Sequence, residues 1–366
     1  MEGDERHMLR ALELAGRGRG AVEPNPMVGA VIVRDGRVLG EGWHGRFGGP
    51  HAEREALAAA RQAGHDVRGA TVYVTLEPCC HHGKTPPCTD ALIEAGAARV
   101  LAAMEDPDPR VAGKGLAALR RAGVVAEVGL CAAAARELLA PYVKLRVQGR
   151  PWVTCKWAQT ADGWLALGEG GPRWITGPAA REHVHRVRAG CDGILVGVGT
   201  VLADDPELTN RSGAGRRPTR VVLDSRLRTP LESKLVRSAG ETPLLLATTA
   251  AAMTAQPARA AELLGRGAEL LPLDEGPGGL DLNALLDELG RRQWTHLLVE
   301  GGAKVLASFL SGGLADEVLV YVSPRRAGAA DLPRTDIAEW RTRLNLREIK
   351  RARFGDDEMF RYRMGP

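Results

Sequence analysis

His51-Ala52-Glu53 and Pro78-Cys79-Cys80-His81-His82-Gly83-Lys84-Thr85-Pro86-Pro87-Cys88 are the two stretches on which the reading of this chain turns. One His and two Cys can hold a Zn2+ and leave a fourth position for water, whereas a structural zinc site uses four protein ligands. Zinc takes neutral imidazole and thiolate, and it lowers the pKa of its water toward about 7. His51, Cys79 and Cys88 are the expected ligands. Glu53 is placed to take a proton from that water and later to protonate a leaving nitrogen. Cys80 is the alternative second thiolate. Adjacent residues rarely both reach one small ion, so Cys88 is preferred.

Outward from these stretches, apolar periodicity and turn residues predict the surrounding elements. A helix is expected over 8–15, and strands over 30–33 and 37–42 joined by Asp35-Gly36, a strong hairpin signal. Helices over 53–63, 89–95 and 115–122 then alternate with strands over 71–76, 99–104 and 124–128. That alternation argues a three-layer α/β domain. A closing helix is expected over 138–147, and Gln148-Gly149-Arg150-Pro151 is a short turn. The boundary is placed there, giving domains 1–148 and 149–366. In the second domain helices are expected over 179–188, 282–291 and 304–310. Strands are expected over 152–157, 193–198, 219–223, 243–247, 296–299, 317–322 and 359–363. This is a second α/β sheet domain.

Composition narrows the function. The 366 residues are 44% apolar and 26% charged, as in an ordinary globular protein. A net charge of +4 and 4% aromatic residues argue against a nucleic-acid path, which needs basic and stacking side chains. The charged N-terminus has no apolar core of a secretory signal, and no run reaches membrane-span length. Of six cysteines, Cys131, Cys155 and Cys191 stand alone on apolar stretches. A reducing cytoplasm is expected rather than a disulfide framework.

Two features of the second half can receive a dinucleotide. Gly197-Val198-Gly199-Thr200 follows a strand but lacks the third Gly of the Rossmann fingerprint. Glu300-Gly301-Gly302 follows a buried strand and opens a helix, where bare backbone N–H groups and the helix dipole suit a phosphate. A tight strand-to-helix turn explains the same residues without a ligand, and on the residues alone both readings stand.

The H-x-E followed by P-C matches the pattern of zinc nucleobase deaminases, with the second half stretched from P-C-x-x-C. Together with Pro24-Asn25-Pro26-Met27-Val28-Gly29, it resembles the deaminase half of the bifunctional riboflavin-biosynthesis deaminase/reductases. Lys156 to Gly163, Arg173-Trp174-Ile175-Thr176, Gly199 to Pro206, Leu223-Asp224-Ser225 and Val299 to Gly302 resemble their reductase half. The resemblance covers nearly the whole chain. It implies a cytidine-deaminase-like three-layer α/β/α domain followed by a dihydrofolate-reductase-like α/β domain. It also implies Zn2+ and NADPH as cofactors.

The implied reactions are consecutive. Zinc-hydroxide deaminates 2,5-diamino-6-(5-phosphoribosylamino)pyrimidin-4(3H)-one. NADPH then reduces the ribosyl group of 5-amino-6-(5-phosphoribosylamino)uracil to ribityl. By motif, Asn25, His44, His81, Lys84 and Asp106 contact the first substrate, Lys84 at its phosphate. Ala158, Trp174, Thr200, Asp204, Ser225, Gly301 and Gly302 contact NADPH. Arg188, Leu208, Arg211 and Glu300 contact the second substrate. Guanidinium groups suit its phosphate, since each can give two hydrogen bonds. The family pattern breaks at Cys80, Asp108 and Pro172. A homo-oligomer acting on small pyrimidine ribosyl phosphates, with no nucleic acid or membrane as partner, is expected. The alternatives are a nucleotide or nucleic-acid deaminase with an accessory nucleotide-binding domain, and a zinc-stabilised binding protein. The last would need a fourth protein ligand and leaves Glu53 idle.

Overall fold

The computed structural model describes residues 2–81, 86–109, 111–168, 172, 174–213, 215–327 and 332–365. The chain divides into two compact units, Met1–Gly149 and Arg150–Pro366.

The first unit runs α1 (Glu2–Gly16), β1 (Gly29–Arg34), β2 (Arg37–Trp43), α2 (Ala52–Gln62), β3 (Thr71–Val74), α3 (Cys88–Glu94), β4 (Arg99–Ala102), α4 (Lys114–Arg121), β5 (Val125–Val128), α5 (Ala132–Leu138) and α6 (Ala140–Gln148). Its sheet has the order β2-β1-β3-β4-β5. Strand alternation divides the core into two layers, because successive side chains point to opposite faces. Ala30, Ile32, Val72, Val74, Val100 and Ala102 pack with α2, α3 and α4. Val31, Val33, Tyr73 and Leu101 pack with α1, α5 and α6. This is the expected three-layer arrangement.

The β1–β2 turn has Asp35 at φ 52° and Gly36 at φ 75°, the left-handed pair that a two-residue hairpin requires. Beyond it, the backbone of α2 lies directly on β2. A Cβ on Gly40 would meet the Ala56 carbonyl oxygen at 2.3 Å, and one on Gly42 would meet the Ala56 nitrogen at the same distance. With Ala52, Ala56 and Ala60 fully buried on the facing side, this close approach fixes where α2 begins, and so where His51 and Glu53 sit. The helix expected over 138–147 is α6, and a further helix, α5, precedes it. Pro141 stands in the first turn of α6, where its missing N–H costs nothing but the preceding helix cannot continue.

The second unit continues with β6 (Trp152–Thr160), α7 (Pro178–Arg188), β7 (Gly193–Gly197), α8 (Val198–Asp204), β8 (Thr219–Leu223), α9 (Lys234–Arg237), β9 (Leu244–Thr248), α10 (Ala250–Ala255), α11 (Pro257–Gly265), β10 (Ala268–Pro272), β11 (Glu275–Gly276), β12 (Gly279–Leu280), α12 (Leu282–Arg291), β13 (His296–Val299), α13 (Ala303–Ser311), β14 (Glu317–Ser323), α14 (Ile337–Arg343), β15 (Arg347–Phe354) and β16 (Asp357–Arg363). Nine strands form one sheet in the order β10-β9-β8-β7-β13-β6-β14-β16-β15. Neighbours from β10 to β14 pair parallel, and the closing hairpin β15–β16 pairs antiparallel. Both faces are covered: α12 and α13 on one, α8, α9 and α11 on the other. Among the described residues no helix is long and apolar enough to cross a membrane.

Candidate active sites

In the first unit, His51 is the residue before α2, in extended backbone, and Glu53 lies in the first turn. Cys79 follows β3 by five residues, and Cys88 opens α3. One atom of His51, Nδ1, faces both sulfurs, at 3.5 Å from Cys79 Sγ and 3.3 Å from Cys88 Sγ. The ligand atoms of these three residues all lie within 4.8 Å of one another. An imidazole and two thiols converging this closely are a donor set for zinc with one coordination position to spare. Cys80, half-buried, is not part of the cluster.

The electrostatics suit an ion. The backbone N–H of Cys88, at the start of α3, donates to Cys79 Sγ at 3.4 Å, a placement that favours thiolate. Hydrogen bonds from the Cys88 side chain and from His51 pull the Cys79 thiol well down, while the Cys88 thiol, facing Cys79 from a buried position, is pushed up. Two thiols so close share one negative charge until a cation arrives, and a coordinating thiol is then deprotonated outright. Glu53 is 3% exposed. Burial pushes its carboxyl up, and the nearby Cys79 adds to the effect. A carboxyl raised in this way is suited to hold and release a proton.

Asn25 and His44 form the adjoining wall. His44 Nδ1 lies 2.8 Å from the Pro50 carbonyl oxygen, which can only accept, so the proton is on Nδ1. Burial holds this imidazole below its usual value, hence neutral. Its Nε2 is then an acceptor for Asn25 Nδ2 at 3.2 Å. The His44 and His51 rings meet edge to face at 5.4 Å. Asp106 is buried, and its Oδ1 accepts from Tyr142 Oη and the Asp108 backbone N–H, each at 2.9 Å. Asp108 is also buried. His81 is exposed, and Lys84 lies outside the described residues.

In the second unit four of the expected cofactor residues, Thr200, Ser225, Gly301 and Gly302, follow the carboxyl ends of adjacent parallel strands, the edge at which open α/β sheets bind ligands. Thr200 lies just beyond β7, Ser225 just beyond β8, and Gly301 and Gly302 just beyond β13; Ala158 is near the end of β6. A Cβ on Gly302 would lie 3.6 Å from Thr200 Oγ1, and one on Gly199 would meet nothing within 4 Å. The open backbone at Gly302, where α13 begins, fits a phosphate-bearing dinucleotide. Asp204 is exposed at the end of α8. Trp174 is half-exposed, with the Arg181 guanidinium 5.3 Å over its ring.

Beside this edge lies a buried ionic cluster. Glu300 takes two bonds from Arg188 and one from Lys156 at 3.5 Å. Arg188 also donates to the Thr209 carbonyl at 3.0 Å. Burial alone would raise the Glu300 carboxyl, but Arg188 and Lys156 hold it at about 2. Burial pushes the Lys156 ammonium down. Arg188 is thus engaged with a carboxylate rather than lying open as the expected phosphate clamp. Leu208 is buried in left-handed backbone at φ 51°. Arg211 is exposed, 3.7 Å from Glu207.

Two residues with large roles here carried no recognisable signal. Glu77, one residue before the quoted Pro78–Cys88 stretch, accepts four backbone N–H groups. Tyr321 lies under Lys156, whose Nζ is 5.8 Å from the ring centre, and its hydroxyl is 2.6 Å from His183 Nδ1. Glu77 meets donors 29 to 39 positions away, Tyr321 comes beside Lys156 through the β14–β6 pairing, and His183 comes from α7, so spacing could not show them.

A deaminase-type zinc pocket in one unit and a dinucleotide-type sheet edge in the other define a two-domain enzyme. Comparison with known proteins agrees for both. The cytidine and deoxycytidylate deaminase zinc-binding region matches residues 1–104, and the RibD C-terminal domain matches residues 151–358. Riboflavin biosynthesis protein RibD of Aquifex aeolicus is 41% identical over 359 residues, covering 97% of this chain and 96% of that protein. The Escherichia coli RibD is 43% identical, covering 89% of each. The solved diaminohydroxyphosphoribosylaminopyrimidine deaminase/5-amino-6-(5-phosphoribosylamino)uracil reductase of Thermotoga maritima superposes with a TM-score of 0.85 at 35% identity, covering 100% of this chain and 99% of that one. RibD of Acinetobacter baumannii gives 0.84 at 36%, with the same coverage. The chain belongs to the RibD family. It is a bifunctional enzyme of riboflavin biosynthesis, a zinc-dependent deaminase and an NADPH-dependent reductase acting on small pyrimidines.

Proposed function

We propose that residues 1–148 deaminate 2,5-diamino-6-(5-phosphoribosylamino)pyrimidin-4(3H)-one, and that residues 149–366 reduce the ribosyl group of the product to ribityl. The observation that carries the deaminase reading is the convergence of His51, Cys79 and Cys88 beside a buried Glu53. These three residues hold the zinc, which supplies Lewis-acid activation of water when bound. Glu53 removes a proton from the attacking water and delivers it to the departing amino nitrogen, so that ammonia leaves. Asn25 and neutral His44 orient the pyrimidine. His81 and Asp106 contact the ribosyl phosphate portion, and Lys84 supplies a point charge for its phosphate.

In the reductase half NADPH supplies the hydride. The open backbone at Gly302, next to Gly301, takes a cofactor phosphate at the start of α13. Ala158, Trp174, Thr200, Asp204 and Ser225 complete the cofactor contacts. Glu300, held by Arg188 and Lys156, faces the substrate ribosyl group, with Leu208 and Arg211 at its rim. The buried cluster excludes water around the carbon to be reduced. The same reading includes a homo-oligomer in the cytoplasm, with neither nucleic acid nor membrane as partner. The modest net charge of +4 favours the small-molecule assignment.

The test is a coupled assay with the zinc-loaded protein and the diaminopyrimidine ribosyl phosphate, following ammonia and NADPH absorbance together. NADPH consumption that begins only after ammonia appears supports the ordered pair of reactions. Absence of ammonia would sink the substrate assignment.

A further inference from the structure

We infer that Glu77 is a positioning residue of the deaminase site, a strut that joins the Cys79 loop, the Asp106 loop and the start of α4 into one piece. The inference rests on the reading of Cys79 as a zinc ligand and Asp106 as a substrate contact. Glu77 is 3% exposed and sits two residues before Cys79. Its Oε1 accepts from the backbone N–H of Gly115 at 2.8 Å and of Leu116 at 3.1 Å. Its Oε2 accepts from Gly113 at 2.9 Å and from Asp106 at 3.2 Å.

The first two donors are the second and third residues of α4, the groups that a side chain at the helix N-cap normally satisfies. The N-cap here is Gly113, which has no side chain to do so. Glu77 supplies that cap from a distant part of the chain, and its charge suits the positive end of the helix. Backbone contacts reinforce the junction. The Glu77 N–H donates to the Met104 carbonyl at 3.0 Å. A Cβ on Gly115 would lie 2.0 Å from the Pro78 carbonyl oxygen, so only glycine lets α4 reach the chain just before Cys79. One carboxylate therefore sets the distance between a metal ligand and the wall that carries Asp106. Four acceptor positions are in use, and an amide in place of the carboxylate offers only half of them.

The test is Glu77→Gln in the full chain, beside Asp106→Asn. Zinc per chain, deaminase kcat and KM, and reductase rate on pre-deaminated substrate are measured in each. Glu77→Gln is expected to keep its zinc and its reductase rate, and to raise the deaminase KM about tenfold with a smaller change in kcat. A purely structural strut would lower the thermal midpoint and leave the KM of zinc-loaded protein alone. That result, with KM raised in Asp106→Asn, overturns the inference. A wild-type KM in Asp106→Asn overturns the reading of Asp106 instead, and the inference with it. If Glu77→Gln does not fold, Glu77→Asp keeps both acceptor oxygens one methylene short, and an unchanged KM there is equally fatal.

Discussion

Arg188 grips Glu300 through two parallel bonds, Nε to Oε1 at 2.7 Å and Nη2 to Oε2 at 2.9 Å. The side chains are 13% and 8% exposed, so the pair is shielded from solvent and salt. Bidentate geometry offsets the desolvation that a buried ion pair costs. Lys156 approaches the same carboxylate from β6. The cluster therefore ties α7, β6 and the end of β13 together at the edge where the cofactor is proposed to bind.

Removing Arg188 leaves Glu300 buried with one weaker partner. Arg188→Ala is expected to destabilise the reductase unit by about 3 kcal/mol at neutral pH. The sign with pH follows from the Glu300 carboxyl, held at about 2 against an ordinary 4.5. A depressed carboxyl contributes stability that is complete above its unfolded value and is lost as pH falls through its folded value. The gap in calorimetric midpoint between wild type and Arg188→Ala should thus be widest near about pH 6 and narrow below about pH 4.5. A gap independent of pH would show that Arg188 acts through packing alone.

Glu53→Gln preserves size and burial but can no longer carry the proton. Deamination should fall by at least about 100-fold. Zinc content and NADPH oxidation on pre-deaminated substrate should both survive, because the three ligands are untouched and the reductase residues belong to the other unit. Loss of zinc on this substitution would make Glu53 a structural support for the metal site.

Much of this is legible in the sequence, and the rest is not for identifiable reasons. The deaminase layers follow from short apolar runs such as Val31-Ile32-Val33 and from Asp35-Gly36, because local hydrophobic pattern and turn chemistry act within a few residues. His51, Glu53, Cys79 and Cys88 are legible because few chemistries use those residue types together. The partners of Glu300 and Glu77 are not. Arg188 lies 112 positions from Glu300, and the Glu77 contacts span 29 to 39 positions. Only the strand order brings them together. Strand β15, Arg-Glu-Ile-Lys-Arg-Ala-Arg-Phe, escapes pattern reading because it is a charged sheet edge with little buried face. Helix α10 escapes it because Ala-Ala-Ala-Met-Thr-Ala buries no side chain and so presents no apolar face.

The third thiol beside the zinc cluster gives a sharp test of ligand choice. Cys80 is half-buried and outside the group formed by His51, Cys79 and Cys88. Cys80→Ala should retain one zinc per chain and keep deaminase activity within about threefold, since Cys80 is not one of the three converging ligands. Cys88→Ala should lose tight zinc binding, because two protein ligands seldom hold the ion. Metal analysis after dialysis against a chelator separates the two. The opposite pattern would assign the second thiolate to Cys80.

Gly302 offers a substitution that the fold tolerates and the proposed cofactor does not. Its backbone, at φ −66° and ψ 174°, is open to any residue. An added Cβ would make only an ordinary contact with Thr200 Oγ1 at 3.6 Å. Gly302→Ala should therefore unfold within a few degrees of wild type, the residual cost being that of a poorer helix N-cap, about 1 kcal/mol or less. A methyl group at this point nevertheless stands where a phosphate would approach the first N–H groups of α13. The KM for NADPH is expected to rise about tenfold, a loss of about 1.4 kcal/mol, while deamination is unchanged. Gly301→Ala is the contrasting case. Its Cβ would press on Val305 at 2.6 Å, so that variant should lose stability as well as affinity. If Gly302→Ala leaves the NADPH KM unaltered, the glycine pair serves only the turn from β13 into α13, and the cofactor phosphate must lie elsewhere along the strand ends.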